Sequence, residues 1–244
     1  MYIIDAHNHI GDRRGRKGQT AEEIVANMDK AGVNQAVVFP YVQYPNNDYI
    51  VESIKKFPDR LIGYAVLDHR KPDQDKVFEK LVLEDGIRGL KLDTPTRGFS
   101  LDDFSVTGKT FEVANKYHLP VICYCGDNNW VHPYKFAEAA KKYPNANFIM
   151  AHSGVFFMTS HAIEVCAENK NCYIEISNIN ACVINDAKNK GVLGQVLFGT
   201  DTPFNYFDAM KACVETALDN DEEKEMVYSG NYKRMFSQIQ IPTK

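Results

Sequence analysis

The sequence predicts a (β/α)8 barrel, and three observations predict it. The chain has 244 residues, close to the roughly 250 that such a barrel takes. Eight short β-rich runs begin at residues 2, 35, 61, 88, 120, 146, 172 and 194, in steps of 22 to 33 residues. Each step has room for one strand, one helix and two loops. The runs are almost wholly apolar (QAVVF, NFIMA, YIEIS), as parallel strands covered on both faces must be. A doubly wound open sheet is the competing arrangement. It calls for a glycine-rich phosphate loop after a strand, and no GxGxxG or Walker sequence follows any run. No linker rich in Pro, Gly or Ser interrupts the chain, so residues 1–244 read as one domain.

The elements follow in order. Residues 2–6 open the first strand. Residues 20–31 (TAEEIVANMDKA) read as a helix, with Thr20 and Glu23 able to form a capping box and Gly32 as its stop. Strands at 35–39 and 61–67 precede a helix at 73–83, which Gly86 ends, and a strand at 88–92. A helix at 107–118 leads to the fifth strand, 120–124, and a helix at 132–143 to the sixth, 146–151. Pro120 and Pro144 fall just past the two helix ends. A helix at 160–170, strands at 172–176 and 194–198 and a helix at 207–218 complete the alternation. The helical segments repeat apolar residues at three- and four-residue spacing. The charge run DEEKEM at 221–226 reads as a solvated helix face.

Composition narrows the function. Hydrophobic residues make up 44% and charged residues 25%, which excludes a disordered chain. Lys and Arg total 28 against 32 Asp and Glu, a net charge of −4. That balance lacks the basic excess of nucleic-acid binding. No apolar run nears the ~20 residues of a membrane span, and MYIIDAHNHI lacks the regions of a secretory signal. The six cysteines sit in apolar segments without paired CxxC spacing, which reads as buried thiols in a reducing compartment. The expectation is a soluble cytoplasmic protein with neither nucleic acid nor membrane as partner.

In such a barrel, chemistry collects where strands end. Asp5-Ala6-His7-Asn8-His9 ends the first strand, and period-2 alternation predicts Asp5, His7 and His9 on one face. Two histidines so spaced can ligate one divalent metal, or can simply sit at a loop edge. Lys91 ends the fourth strand between two leucines. Buried there it needs a partner: a structural ion pair, a substrate carboxylate, or a metal that it bridges as a carbamate. His152 follows the sixth strand, and Asp201 follows the eighth as ligand or general base. Their joint placement at four strand ends is the informative feature.

With those residues in view, the sequence resembles the amidohydrolase superfamily, in its branch of small metal-dependent hydrolases and decarboxylases. Five motifs carry the resemblance along essentially the whole chain: DAHNH at 5–9, GIRGLK at 86–91, PNANFIMAHSG at 144–154, LFGTDTP at 197–203 and GNYKRMF at 230–236. One position departs. The branch commonly places a metal-ligand histidine in its fifth strand, where this chain reads LPVICYCG and carries Tyr124. A phenol is a poor zinc ligand. Cys123 and Cys125 flank it but should face the other way. The resemblance therefore implies one divalent metal, zinc by first choice, held by His7, His9 and Asp201 with His152 beside them. It also implies a metal-free alternative, because some lactonase-like members work without an ion.

The activity expected is hydrolysis of an acyl C–O or C–N bond, as in a lactone or amide, of a small anionic molecule. Asp201 would act on the water, His152 would orient it or steady the oxyanion, and Lys91 and Tyr124 would hold substrate oxygens. Arg13 and Arg14, in the basic loop GDRRGRKG at 11–18, and Arg97 are candidate anion binders. Non-oxidative decarboxylation of an unsaturated or aromatic acid is the alternative on the same residues, and a catalytically silent metabolite-binding barrel is a further one. The aromatic runs at 41–49 and 156–158 are expected to pack, with a pocket wall or a homo-oligomer contact as the other uses.

Overall fold

The computed structural model describes residues 1–13 and 18–242. Parallel strands form its centre. β1 (Ile4–His9) pairs with β2 (Gln35–Phe39), and β2 with β3 (Leu61–Gly63). Tyr64 alone separates β3 from β4 (Ala65–Val66). The ladder runs through this break, because Tyr64 N donates to Val38 O and Ala65 N donates to Gly89 O. β5 (Leu90–Leu92), β6 (Pro120–Tyr124), β7 (Asn147–Ala151), β8 (Cys172–Glu175) and β9 (Val196–Leu197) follow, each parallel to the one before. Ala6 N donates to Phe198 O, and Asn8 bridges Thr202 in parallel. With β3 and β4 as one interrupted strand, the ring closes on eight strands. The fold is the α/β barrel that the strand spacing predicts.

Helices cover its outside: α1 (Ala21–Ala31), α2 (Asn47–Lys56), α3 (Gln74–Glu84), the single turn α4 (Thr94–Arg97), α5 (Phe104–Tyr117), α6 (Pro133–Lys142), α7 (Thr159–Glu168), α8 (Ala181–Asn189), α9 (Phe207–Ala217), α10 (Asp221–Glu225) and α11 (Asn231–Phe236). The sequence did not mark α2, α4 or α8. Asparagine-rich polar residues open α2, and only Ile50, Val51 and Ser53 are buried along it. Tertiary burial of a few residues stabilises these helices more than local propensity does. None of the described helices is long and apolar enough to cross a membrane.

Two apolar layers hold the barrel. The outer layer lies between strands and helices and includes Ile24, Phe78, Phe111, Phe136 and Phe148. The inner layer fills the ring with Ile4, Val37, Tyr64, Ile122, Ile149 and Leu197, and Tyr232 and Met235 of α11 pack into it. Tyr64 and Tyr232 meet through their hydroxyls at 3.0 Å, so neither buried phenol lacks a partner. Gly89 permits this, because a Cβ there would lie 2.7 Å from the Tyr64 ring. Cys123 and Cys125 lie in the outer layer, as alternation around Tyr124 requires. Four cysteines are buried, but Cys182 is exposed and Cys213 half-buried.

β1 departs from strict alternation. Asp5 pairs with Ala36 but Asn8 pairs with Val38, so one extra residue sits in β1. Such a bulge shifts the alternation by one. Ile4 and Ala6 face inward, and His7 and His9 continue that face toward the barrel mouth. The expected grouping of Asp5 with the two histidines is therefore corrected. Asp5 turns to Thr200 instead, accepting from its Oγ1 at 2.5 Å and its N at 3.2 Å.

Two stability outcomes follow from the local chemistry. The capping box forms: Glu23 N donates to Thr20 Oγ1 and Thr20 N donates to Glu23 Oε2. Thr20→Ala should cost about 1 kcal/mol, read as a lower urea midpoint at unchanged m-value. His69 is buried, with Nδ1 2.9 Å from Thr110 Oγ1, and burial pulls its pKa down from 6.5 to about 4. The unfolded chain takes up this proton first, so the contribution is whole above pH 6.5 and is lost as pH falls toward 4. Between neutral pH and pH about 4.5, wild type should lose ~2 kcal/mol more than His69→Leu. Equal losses in the two urea series would contradict it.

Candidate active site

The C-terminal ends of the strands converge on a cavity of about 170 Å³. His7 and His9 enter it from β1, Lys91 from β5 and Tyr124 from β6. His152 follows β7, and Asp201 follows β9. A larger groove of about 530 Å³ lies elsewhere, lined by residues such as Ile54, Leu61 and Phe236. It contains no histidine, so size and chemistry part company here, and the smaller cavity is the candidate site.

Asp201 is the meeting point. Its Oδ1 lies 3.3 Å from His7 Nε2 and 3.2 Å from His9 Nε2. Asn178 Nδ2 donates to its Oδ2 at 3.0 Å. Lys91 Nζ stands 3.2 Å from His7 Nε2 and 4.8 Å from the centre of the Phe39 ring. The ligand atoms of His7, His9 and Asp201 lie within 4.8 Å of one another, as do those of His7, His152 and Glu175.

Three of the loop residues here carry left-handed backbones without being glycine: His152 (φ 63°), Asn178 (φ 59°) and Asp201 (φ 63°). Such conformations cost of order 1 kcal/mol or more each and persist where surrounding contacts hold them. Here those contacts are the hydrogen bonds of the cavity floor.

The electrostatics divide the site. Burial lowers the pKa of His7, His9 and His152, which favours neutral imidazoles. Burial also pulls Lys91 down, against the attraction of Asp201. For Asp201 burial acts upward, while the hydrogen bond from His9 and the attraction of whichever ring among His7, His9 and His152 carries an extra proton draw the carboxyl below its usual range. Asp201 is thus the standing anion, with the Lys91 amine, whose charged form burial disfavours, close to it.

The sequence reading missed Glu175, the last residue of β8, and Ser177 and Asn178 just beyond it. Glu175 is wholly buried. Its Oε2 lies 2.7 Å from His7 Nδ1 and 2.8 Å from Ser177 Oγ, and its Oε1 accepts from Ser177 N at 2.6 Å. Ser177 Oγ in turn lies 2.8 Å from His152 Nδ1. A signal was present: Glu175 interrupts the apolar run YIEIS as Lys91 interrupts LKL. Gly199 makes the space, since a Cβ there would lie 2.7 Å from Glu175 Cγ and closer still to the carboxyl.

The anion binders fare differently. The Arg13 guanidinium stands 4.9 Å from the centre of the Phe204 ring and 5.7 Å from that of Tyr41, two walls of the cavity. Arg14 lies outside the described residues. Arg97 is not among the residues that line the cavity, and its Nη2 donates to the carbonyl of Val42, which does line it. Tyr41 is buried and stacks on His9 at 5.3 Å. Phe156 and Phe157 do not pack within the chain, being 68% and 77% exposed.

The amidohydrolase family profile matches residues 4–237. The chain belongs to the amidohydrolase family. No curated protein matches it in sequence. Solved structures resemble it in fold. An uncharacterised TIM-barrel protein from Bordetella bronchiseptica is 17% identical, with a TM-score of 0.83 over 98% of this chain and 99% of that one. A protein described as a probable 2-pyrone-4,6-dicarboxylic acid hydrolase from Acinetobacter baumannii, with citric acid bound, is 16% identical (TM-score 0.72, 97% and 100% covered). A dihydroxybenzoic acid decarboxylase from Polaromonas sp. JS666, with manganese and 2-nitroresorcinol bound, is 17% identical (TM-score 0.77, 97% of each). As an amidohydrolase the chain is an enzyme.

Gly199→Ala should displace the Glu175 carboxylate and cost about 1–3 kcal/mol. In the double variant Gly199→Ala/Glu175→Ala the two losses should be less than additive. Additive denaturation energies would show that the two residues do not crowd each other.

Proposed function

We propose that this amidohydrolase hydrolyses an acyl C–O or C–N bond of a small anionic molecule, with Asp201 as general base. The observation that carries the reading is the position of the Asp201 carboxylate, 3.3 Å from His7 Nε2 and 3.2 Å from His9 Nε2 at the floor of the cavity. The site's other charges suit an acidic substrate. Lys91 is buried inside it, and Arg13 stands at the wall.

The residues fit a divalent ion. Two imidazoles and one carboxylate form an acceptable catalytic set, and Glu175 occupies His7 Nδ1, leaving His7 Nε2 toward Asp201. His7, His9 and Asp201 would hold the ion, with His152 alongside. Zinc suits these donors, and manganese occurs in the decarboxylase described above. Such an ion polarises substrate oxygens and acidifies water. Lys91 donates to the same His7 nitrogen, so ion and ammonium compete for one lone pair.

This chain's own groups do the rest. Asp201 takes a proton from the attacking water and passes it to the leaving group. His152 orients that water and steadies the developing oxyanion. Lys91 and Arg13 hold the substrate's carboxylate, and the Tyr124 hydroxyl donates to its carbonyl oxygen. The rings of Tyr41 and Phe204 wall the cavity against water. Those same aromatic walls favour a second reading, decarboxylation of an unsaturated or aromatic acid.

Asp201→Asn should lower kcat by about 10²–10⁴-fold. A panel of acidic lactones, amides and aromatic acids, assayed for hydrolysed product and for released CO2, separates the two readings. Carbon dioxide without hydrolysis would replace the first with the second, and full activity in Asp201→Asn would sink both. Elemental analysis of protein purified without chelator should find about one zinc or manganese per chain, lost in His7→Ala/His9→Ala. Equal metal in the two proteins would place the ion elsewhere.

A further inference from the structure

A continuous chain of hydrogen bonds runs beneath the cavity. It passes from Lys91 Nζ to His7 Nε2 (3.2 Å), from His7 Nδ1 to Glu175 Oε2 (2.7 Å), from that oxygen to Ser177 Oγ (2.8 Å), and from Ser177 Oγ to His152 Nδ1 (2.8 Å). One buried carboxylate thus touches both histidines, directly on one side and through a hydroxyl on the other.

We propose that Glu175 is a positioning residue that sets the tautomer of His7 and His152 together, keeping Nδ1 protonated and Nε2 a free base in each. A carboxylate only accepts. Glu175 is surrounded by donors: Ser177 N, Ser177 Oγ, His152 N and His7 Nδ1. His7 must therefore bring its proton to Nδ1. The opposite nitrogen agrees, because Lys91 Nζ donates to it. Asp201 Oδ1 also lies near His7 Nε2, but at 3.3 Å against 2.7 Å to Glu175.

Ser177 extends the logic. Its single hydroxyl proton goes to Glu175, so its oxygen is left to accept, and His152 Nδ1 must donate. The Ser177 carbonyl, which also only accepts, lies 3.4 Å from the same nitrogen. Asn178 Nδ2 donates one proton to Asp201 Oδ2 at 3.0 Å and lies 3.5 Å from His152 Nδ1, a much longer contact than the 2.8 Å to Ser177 Oγ. His9 supplies a contrast within the same site. It has no contact with Glu175, and its Nε2 meets Asp201 at 3.2 Å, which calls for the opposite tautomer.

The consequence is that both nitrogens available for a ligand or a proton are fixed before anything binds. A histidine held by a carboxylate at one nitrogen presents the other in a defined state. Gly199 belongs to the device, since any side chain there would overlap the Glu175 carboxyl. The proposal rests on reading this cavity as the active site, but its test needs neither substrate nor ion.

Two-bond 1H–15N correlation spectra of the metal-free full-length chain at neutral pH read each imidazole's tautomer. Signals are assigned by single substitutions of His7, His9 and His152. The expected wild-type pattern is Nδ1–H for His7 and His152 and Nε2–H for His9. Ser177→Ala should shift the His152 ratio toward Nε2–H by about fivefold, the worth of one ordinary hydrogen bond, and leave His7 in place. Glu175→Gln should move both when its NH2 group takes the Oε2 position, because there it faces His7 Nδ1 and Ser177 Oγ; the opposite orientation sets NH2 only against Ser177 N. Ser177→Ala decides the matter if Glu175→Gln fails to fold. Nε2–H at His7 or His152 in wild type would overturn the proposal. So would a Ser177→Ala variant that moves neither ring, or both alike. Metal content and Asp201→Asn turnover stand or fall separately from this result.

Discussion

The structure depends on the closure of β9 onto β1. Without that seam the two ends of the chain would not meet, and neither would the site. Asp5 holds it by accepting from the backbone and hydroxyl of Thr200 and from His7 N. Asn8 adds to the seam through Thr202, whose hydroxyl donates to Asn8 Oδ1 at 2.6 Å. Asp201 N donates to His7 O at 2.8 Å, so the backbone itself sets the aspartate beside the histidine. Burial raises the Asp5 carboxyl to about 7, against the hydrogen bonds from Thr200 and His7 that draw it down.

The bulge in β1 is part of the same solution. A regular strand would send Asp5, His7 and His9 to one side and leave nothing to bind Thr200. One extra residue lets Asp5 face the seam while both histidines face the mouth. A single local irregularity thus links barrel closure with site assembly, in keeping with where bulges concentrate.

Polar groups beneath the cavity form a second, internal layer. Glu175, Ser177 and Asn178 take no part in the cavity's shape but determine which way its donors and acceptors point. A buried network of this kind is favourable only when each member is satisfied. That demand explains the bare Cα at Gly199 and the left-handed backbones at His152, Asn178 and Asp201. Strain in three loops is held by one shared set of hydrogen bonds.

The sequence by itself determined the barrel, because its apolar runs recur at the spacing of strand and helix and each run must be buried on both faces. It also determined that His7, His9, Lys91, His152 and Asp201 would share one mouth, because parallel strands end on the same side. It did not mark α2 or α8, although each buries one side in the fold, through Ile50, Val51 and Ser53 and through Val183, Ile184 and Ala187. Only the tertiary structure decided that Asp5 leaves the histidine face, since a bulge depends on the partner strand's register. Only it decided that the Arg97 guanidinium meets the Val42 carbonyl, since a side chain's reach depends on what it meets. Glu175 was visible as a charge in an apolar run, but its partners lie 2 and 168 residues away along the chain. A contact of that range follows from the closure of the ring.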